Sequence, residues 1–148
     1  MLKPEQFFVG YLTTAAAPDE LLVEVRVPVA PARTGSAFLE VSRRHGDFAL
    51  VGVAATVTLD EARVCTAVAI ALTGVGPTPV LARDAARALV GARPAPAAFE
   101  AAGRSVAEHL QPDGDLHASS DYRRQLASVL TRRALALASE RAATNARR

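Results

Sequence analysis

Apolar and polar residues alternate with a period of two through the first half of the chain, as they do in β-strands with one buried face. The longest alternating stretch covers residues 49–72, where large apolar residues occupy one face and mostly small residues the other. Asp60-Glu-Ala62 divides this stretch and predicts a hairpin turn. Residues 36–42 alternate in the same way, with a wetter face at Ser36, Phe38 and Glu40. Together these segments predict a three-stranded antiparallel sheet.

Two strand-like segments precede this sheet in the sequence. Residues 7–12 are predicted to form a short strand, and residues 20–27 alternate as a half-buried strand does. Pro28, Pro31 and Gly35 then interrupt regular structure, so residues 28–35 are predicted to be a linker. Because the linker leaves residues 1–28 without a core of their own, we expect their apolar side chains to be exposed.

Helical spacing replaces the alternation in the second half of the chain. Three helices are predicted: one over about residues 80–90 that ends at Gly91, one with a buried stripe from Phe99 to Leu110, and one that begins at Ser119 or Ser120. The stripe predicted for the last helix consists of Tyr122, Leu126, Val129, Leu130, Arg133 and Leu137, with Arg123, Arg132 and Glu140 on the opposite face. Strands followed by helices indicate the α+β class, here a small three-stranded sheet packed with a three-helix bundle.

Composition limits the classes of protein that fit this pattern. The 148 residues suffice for one domain with an appendage. A net charge of +2, with acidic residues near many of the arginines, argues against a nucleic-acid surface. The sequence contains neither a signal-peptide pattern nor an uncharged apolar run of about 18 residues. A transmembrane segment is therefore not expected, and the cytoplasm is the expected compartment.

Outside the segment from Glu40 to Asp47, few residues lie in patterns typical of catalysis or metal binding. The single cysteine, Cys65, and three scattered histidines provide neither a disulfide nor metal-ligand spacing. Cys65 lies among apolar residues of a predicted strand, where a buried and inert thiol is expected. Gly74-Val-Gly-Pro-Thr78 lies between a strand and a helix, as a phosphate loop does. However, Pro77 removes a backbone donor and no Gly-Lys-Ser/Thr follows, so a structural turn is expected.

The densest group of ionisable residues lies between two strands, from Glu40 to Asp47. Ser42, His45 and Asp47 are the residue types of a hydrolase triad, but they lie on one local turn, whereas a triad draws its members from separate places. Arg43 and Asp47 also fit an ordinary solvated turn held by an ion pair. If the chain contacts a ligand, the contact is expected in this segment.

Four motifs in order resemble one protein family. They are Phe8-x-Gly10-Tyr11 leading to Asp19-Glu-Leu-Leu-x-Glu-Val-x-Val-Pro28, then Ser42-Arg-Arg-His-Gly-Asp-Phe-Ala49, Gly76-x-Thr-Pro79 and Asp121-Tyr-Arg-Arg-x-Leu126. The family is the FAD-binding (medium) subunit of molybdenum hydroxylases, which includes aerobic carbon monoxide dehydrogenase and xanthine dehydrogenase. The resemblance implies that residues 1–28 are the C-terminal remnant of an FAD-binding domain, 29–33 a linker, 34–142 the C-terminal flavoprotein domain and 143–148 a tail.

The resemblance also implies where the flavin lies. In the family it occupies a cleft between the two parts, and the segments that hold its pyrophosphate lie upstream, so a truncated subunit or a separately encoded domain is expected. The cofactor-binding residues implied are Leu22, Phe38, Leu39, Glu40, Arg43 and Asp47. Leu22 and Phe38 would pack on the isoalloxazine ring, and Asp47 with Arg43 would order the turn. Leu39 stands where xanthine dehydrogenases commonly carry a lysine, whose polar contact Glu40 or a backbone group would have to replace.

The function implied by the resemblance is electron transfer within a complex. A large molybdenum subunit would hydroxylate the substrate, a small iron–sulfur subunit would pass on the electrons, and FAD would deliver them to an acceptor. The molybdenum cofactor and the clusters would belong to these partners, and the chain alone is not expected to be active. Two alternatives stay open: a cofactor-free interaction module or inactive fragment, and a hydrolase that uses the turn at Ser42, His45 and Asp47.

Overall fold

The computed structural model describes residues 1–145, in which an antiparallel sheet carries helices on one of its faces. The strands are β1 (Phe8–Gly10), β2 (Thr13–Thr14), β3 (Thr34–Val41), β4 (Val51–Leu59), β5 (Cys65–Thr73) and β6 (Val80–Leu81). The helices are α1 (Pro4–Phe7), α2 (Arg83–Arg87), α3 (Pro96–His109) and α4 (Ser120–Asn145). The predicted α+β class is confirmed. Of the predicted tail, residues 146–148 lie outside the described residues.

The main sheet has the strand order β3-β4-β5-β6, and each neighbouring pair is antiparallel. Its three long strands are the predicted ones. The fourth strand, β6, is a correction, because Val80 and Leu81 were predicted to begin a helix. They pair instead with Leu72 and Ala71, and this pairing shortens the following helix α2 to five residues. Val80 and Leu81 thus form backbone hydrogen bonds with β5 instead of beginning the helix that the sequence pattern predicted.

The alternation along β4 predicts its burial correctly, whereas β5 departs from it at its first residues. The buried core positions of β4 are Val51, Val53, Ala55, Val57 and Leu59. A bulge then lets Leu59 pair with Cys65 while Thr58 pairs with Ala67, so Thr66 is the extra residue. As a result Cys65 faces the core and Thr66, which strict alternation places there, is exposed. The predicted burial of Cys65 is confirmed, and burial raises the pKa of its thiol.

Helix α4 packs on the sheet and on α3 through small residues. Its buried positions are Arg123, Ala127, Leu130, Thr131, Ala134, Leu135, Ala138, Ser139 and Ala142. Of the predicted stripe, Leu130 is buried and Leu126 and Leu137 pack partly buried against the core, whereas Tyr122 and Arg133 are exposed. Arg123, which was predicted on the opposite face, is buried. A Cβ added to Gly35 of β3 would overlap the backbone of Ala138 and Ala142, so the two backbones are in direct contact. Contact this close selects small side chains over the large ones that defined the predicted stripe.

Thr131 lies at the centre of this packing, fully buried, and its hydroxyl has no hydrogen-bond partner in the described chain. A buried hydroxyl without a partner costs about 1–3 kcal/mol. We therefore expect Thr131→Val, which keeps the shape of the side chain, to raise the free energy of unfolding by up to about 1 kcal/mol in urea titrations.

A matched control for Thr131→Val lies on the same helix. The exposed hydroxyl of Thr144 donates a hydrogen bond to the Glu140 carbonyl oxygen. Thr144→Val is therefore expected to leave stability unchanged or to lower it slightly. A loss of stability in Thr131→Val equal to that of the control would show that the Thr131 hydroxyl is satisfied in solution.

The N-terminal segment does not form the predicted strand at residues 20–27. Residues 15–33 contain neither helix nor strand, and Leu21, Val23 and Val25 are exposed. A strand needs a neighbour to receive its backbone hydrogen bonds, and this segment has none in the described chain. Among the described residues, one hydrogen bond joins residues 1–32 to the rest, from Arg83 Nη2 to Glu5 Oε1 at 2.5 Å. The expected exposure of these apolar side chains is confirmed.

Strand β3 lies at the edge of the sheet, and side chains of α4 cover the start of this edge. Arg141 Nη1 donates to the Ser36 carbonyl oxygen at 2.6 Å, and Asn145 Nδ2 donates to that of Thr34 at 3.0 Å. These two contacts fix the C-terminal end of α4 against the first residues of β3. None of the described helices is long and apolar enough to span a membrane.

Candidate functional site

Strand β3 and the turn that follows it carry five of the six residues predicted to bind a cofactor. The alternation along β3 places Phe38 and Glu40 on the exposed face of the sheet, as predicted, and leaves Leu39 partly buried against the core. Arg43 and Asp47 lie on the turn between β3 and β4. The sixth residue, Leu22, belongs to the N-terminal segment.

Phe38 covers a glycine on the neighbouring strand. A Cβ added to Gly52 would lie 3.1 Å from Phe38 Cζ and 2.8 Å from the Thr73 methyl group, so both side chains close over the glycine. Phe38 nevertheless remains 57% exposed. The ring is therefore supported by the sheet on one side, while much of its apolar surface is free to contact a ligand.

The exposed face of the sheet around Phe38 is nearly free of charge. The strand register aligns three rows of residues across the sheet: Phe38, Ala54, Ala71 and Leu81; Ser36, Thr56 and Ala69; and Glu40, Gly52 and Thr73. Glu40 is the only charged residue in these rows. The solvated face of an antiparallel sheet usually carries polar residues. This small-residue surface instead suits a planar, largely apolar ligand or an apolar protein surface better than it suits a polyphosphate.

The turn after β3 is hydrogen-bonded at its base and open at its tip. The Leu50 N–H donates to the Val41 carbonyl oxygen at 2.8 Å, and the Asp47 N–H donates to that of Arg44 at 3.2 Å. Gly46 has φ +90°, a left-handed conformation that favours glycine. Phe48 at the tip is 96% exposed. The predicted turn over residues 43–47 is confirmed.

Arg43 and Asp47 pair loosely across this turn. Arg43 Nη2 lies 3.6 Å from Asp47 Oδ2, and that oxygen has no hydrogen-bond partner in the described chain. Such a partly exposed pair contributes about 0–1 kcal/mol. The Ser42 hydroxyl donates to the Arg44 carbonyl oxygen at 3.0 Å, and no hydrogen bond joins Ser42 to His45 among the described residues. The hydrolase alternative therefore has no geometric support.

Arg123 packs beneath the turn, and the sequence pattern placed it on the wrong face of α4. Its Nη1 donates to the carbonyl oxygens of Leu50 at 2.5 Å and Gly74 at 3.0 Å, and its Nη2 donates to Asp115 Oδ2 at 2.7 Å. Arg123 is only 8% exposed. Helical spacing could not reveal this position, and the one sequence signal for it was the motif Asp121-Tyr-Arg-Arg.

Asp115 organises the loop before α4. Its Oδ1 accepts hydrogen bonds from the backbone N–H groups of His117 at 2.8 Å and Ala118 at 2.9 Å. These two bonds, followed by the charges of Arg123 and His117, lower the pKa of Asp115. Because its pKa is lower in the folded than in the unfolded chain, the carboxylate contributes stability at neutral pH. That contribution is lost as the pH falls through the folded-state pKa.

Replacing Asp115 by asparagine is accordingly expected to weaken the dependence of stability on pH. Wild-type protein should lose more unfolding free energy than Asp115→Asn between about pH 7 and about pH 2, measured by urea titration at each pH. Asp113→Asn removes a carboxylate of the same loop that makes no hydrogen bond in the described chain, and it is the control for the loss of one negative charge. Equal slopes for Asp115→Asn and wild type would contradict the assignment of this carboxylate.

Leu22 lines a separate apolar cleft of about 570 Å³ within the N-terminal segment. The apolar side chains of this cleft include Phe7, Phe8, Leu21, Leu22, Val23 and Val25. No hydrogen bond or ion pair joins residues 15–32 to β3 or its turn in the part of the chain that the structure describes. The structure thus groups five of the predicted residues along β3 and its turn, and Leu22 is not among them.

Residues 36–138 match the protein family described as CO dehydrogenase flavoprotein C-terminal domain. The chain belongs to this family. The matched range contains most of β3, all of β4 to β6, α2 and α3, and most of α4, so the site on β3 is part of the family's domain. The resemblance found in the sequence is confirmed.

Relatives of the CO dehydrogenase flavoprotein family show how much of a longer protein the chain matches. The 6-hydroxypseudooxynicotine dehydrogenase complex subunit alpha of Paenarthrobacter nicotinovorans is 36% identical over 138 residues, which are 93% of this chain and 47% of that protein. The carbon monoxide dehydrogenase medium chain of Afipia carboxidovorans is 33% identical, over 92% of this chain and 47% of its own length.

A solved structure shows the same fold. Carbon monoxide dehydrogenase from Hydrogenophaga pseudoflava superposes with a TM-score of 0.86 at 34% identity, over 93% of this chain and 47% of that chain. The chain therefore spans about half the length of the proteins it matches. Within this half, the fold extends over both the N-terminal segment and the α+β domain.

Proposed function

We propose that this chain is the C-terminal part of the flavin subunit of a molybdenum hydroxylase-type oxidoreductase. In this proposal the chain provides one wall of an FAD cleft, and an FAD-binding domain provides the other. Bound FAD supplies electron transfer between iron–sulfur clusters and an acceptor. The proposed partners are a large molybdenum subunit and a small iron–sulfur subunit, and the proposed compartment is the cytoplasm. The observation that carries the proposal is the exposed Phe38 on a nearly uncharged sheet face, within a domain of the flavoprotein family.

The residues of β3 fit the isoalloxazine ring. Phe38 offers an aromatic surface that the sheet supports from behind, and Leu22 offers an exposed apolar side chain in its cleft. Phe38 would pack on the ring and exclude water. Leu22 is proposed as a second apolar contact, from its separate cleft on the N-terminal segment. Glu40 would place a single carboxylate near it, and Leu39 would contribute only through its backbone because its side chain faces the core. None of these residues is assigned a proton transfer.

The described residues do not fit the FAD pyrophosphate. A phosphate site needs several free backbone N–H groups or basic side chains around a glycine-rich turn. The glycine turn after β5 fails this requirement, because Gly74 lies against the Leu50 carbonyl and Pro77 carries no N–H. We therefore place the pyrophosphate in the FAD-binding domain, and divide this chain into residues 1–28 of that domain, a linker at 29–33 and the C-terminal domain at 34–142.

A second candidate function is a cofactor-free interaction module. The same nearly uncharged sheet face favours it, because a flat apolar surface also suits contact with another protein. The two candidates differ in one respect that can be measured, which is whether this face retains flavin when an FAD-binding domain is present.

The test is to purify the chain alone and together with the FAD-binding half of the Hydrogenophaga pseudoflava medium chain, each with excess FAD, and to measure retained flavin by its visible absorbance after gel filtration. We expect no stoichiometric flavin on the chain alone and about one flavin per pair in the mixture. Flavin retained by the chain alone would contradict the placement of the pyrophosphate. A pair that forms without flavin would favour the interaction module.

A further inference from the structure

We propose that Arg123 and Asp115 are positioning residues that hold the turn after β3 in the orientation that it presents to the flavin. The proposal rests on the flavin function proposed above. Neither residue is proposed to touch the flavin, because both act through the backbone at the base of the turn.

Arg123 connects three segments that are distant in the sequence. Leu50 ends the turn and precedes β4, Gly74 follows β5, and Asp115 lies on the loop before α4. One guanidinium group donates to all three. A planar group with several donors in fixed directions is suited to such a bridge, whereas a lysine ammonium acts as a point charge. The end of the sheet from which the turn leaves is thereby tied to α4.

Leu50 transmits this contact to the turn. Its N–H donates to the Val41 carbonyl oxygen and so closes the turn, while its own carbonyl oxygen accepts from Arg123. A Cβ on Gly74, which has φ +77°, would overlap that carbonyl oxygen. The absence of a side chain at Gly74 therefore leaves the Leu50 carbonyl oxygen in place to accept the hydrogen bond from the Arg123 guanidinium. Both polar backbone groups of the last residue of the turn are thus fixed.

The Asp115 carboxylate compensates the positive charge of the buried Arg123 side chain. Arg123 is buried in the first turn of α4, where the helix dipole is positive and a cation is disfavoured. Its only ion pair in the described chain is with Asp115, since Asp121 pairs with Arg124. A neutral side chain at Asp115 would leave the guanidinium with carbonyl partners alone. Asp115 therefore fixes the position of the Arg123 guanidinium, which in turn fixes the Leu50 carbonyl oxygen.

The turn itself has few contacts that could set its direction. Phe48 is almost fully exposed, and the Arg43–Asp47 ion pair is longer than a hydrogen bond. The orientation of residues 43–49 is therefore decided at the base, by Leu50 and its partners. A defect at Arg123 is expected to move these residues more than it moves the centre of the sheet.

The first experiment measures amide hydrogen exchange by NMR in the full chain, as the ratio of the Leu50 rate to the Val53 rate. Arg123→Met and Asp115→Asn are expected to raise this ratio by about tenfold, and Arg123→Lys by less. Leu135→Ala is the control, because it weakens the core of α4 without touching the turn, and it should not raise the ratio. An unchanged ratio in Asp115→Asn, which keeps the size of the side chain, would overturn the proposal even if Arg123→Met does not fold.

The second experiment measures FAD dissociation from the chain paired with the FAD-binding half. Asp115→Asn and Arg123→Met are expected to release FAD about tenfold faster than wild type. Arg123→Lys should release FAD at a rate between those of Arg123→Met and wild type. Leu135→Ala should release FAD at the wild-type rate. Faster exchange at Leu50 without faster release would overturn the positioning role. If the wild-type pair binds no FAD, the proposed function fails, and the exchange ratio still decides whether Arg123 and Asp115 hold the turn.

Discussion

Gly35→Ala is expected to lower the free energy of unfolding by about 3 kcal/mol or more, among the largest effects of a single methyl group in this fold. Gly35 is the point at which β3 touches α4, and an added Cβ would overlap the backbone at Ala138 and Ala142. Backbone atoms cannot rotate away as a side chain can. The helix must instead lift from the sheet, which opens the core along its whole contact.

The measurement is urea unfolding of Gly35→Ala beside Gly76→Ala. A Cβ on Gly76 meets its nearest neighbours at 3.6 and 3.8 Å, which is ordinary contact, so a change within about 0.5 kcal/mol is expected. Because the overlap at Gly35 is with backbone atoms, Ala138→Gly should not rescue Gly35→Ala. Rescue by that second substitution, or equal losses at Gly35 and Gly76, would refute the direct backbone contact.

Phe38→Ala is expected to weaken FAD binding to the reconstituted pair by between about tenfold and about a hundredfold. Stacking of a planar heterocycle on an aromatic side chain contributes roughly 1–3 kcal/mol, and each 1.4 kcal/mol is about a factor of ten in affinity. Phe38 is the only aromatic residue within β3 itself. Fluorescence titration with FAD measures the change, and Phe38→Tyr should keep most of the affinity because it keeps the ring.

The matched control for Phe38→Ala is Leu81→Ala. Leu81 lies in the same row of the exposed sheet face but on the opposite edge strand, and it is also partly exposed. It should therefore leave FAD affinity within about twofold of wild type. Equal losses in the two variants would mean that the whole face, rather than the β3 edge, contacts the partner. Wild-type affinity in Phe38→Ala would remove Phe38 from the proposed site.

Local periodicity predicted the elements whose burial is decided along a single strand or helix. The alternation in β4 and the stripe of α3 are confirmed, because each presents large apolar residues to one core. The stripe of α4 was only partly correct, since a residue elsewhere in the sequence, Gly35, lets the helix approach so closely that small residues face the sheet. The bulge that exchanges Cys65 and Thr66 is likewise a property of strand pairing, which a single-strand pattern does not contain.

The candidate site was predictable to the same extent. Alternation placed Phe38 and Glu40 on the exposed face, and the charged turn was evident from its composition. Arg123 was not, because its partners Leu50 and Gly74 offer backbone carbonyls, which every residue type carries and no sequence pattern distinguishes. The expected strand at residues 20–27 failed for a related reason, since a strand forms only where another chain segment accepts its hydrogen bonds.

The side chains that α4 places on the edge of β3 bear on how the protein behaves when it is concentrated. An unpaired edge strand can template fibrils, because an incoming strand adds to its free backbone groups. Here Arg141 and Asn145 already occupy two of those carbonyl oxygens. An incoming strand must first displace them, and Arg141 keeps a cation beside the edge. Helix α4 thus protects the sheet from aggregation with the same residues that fasten it in place.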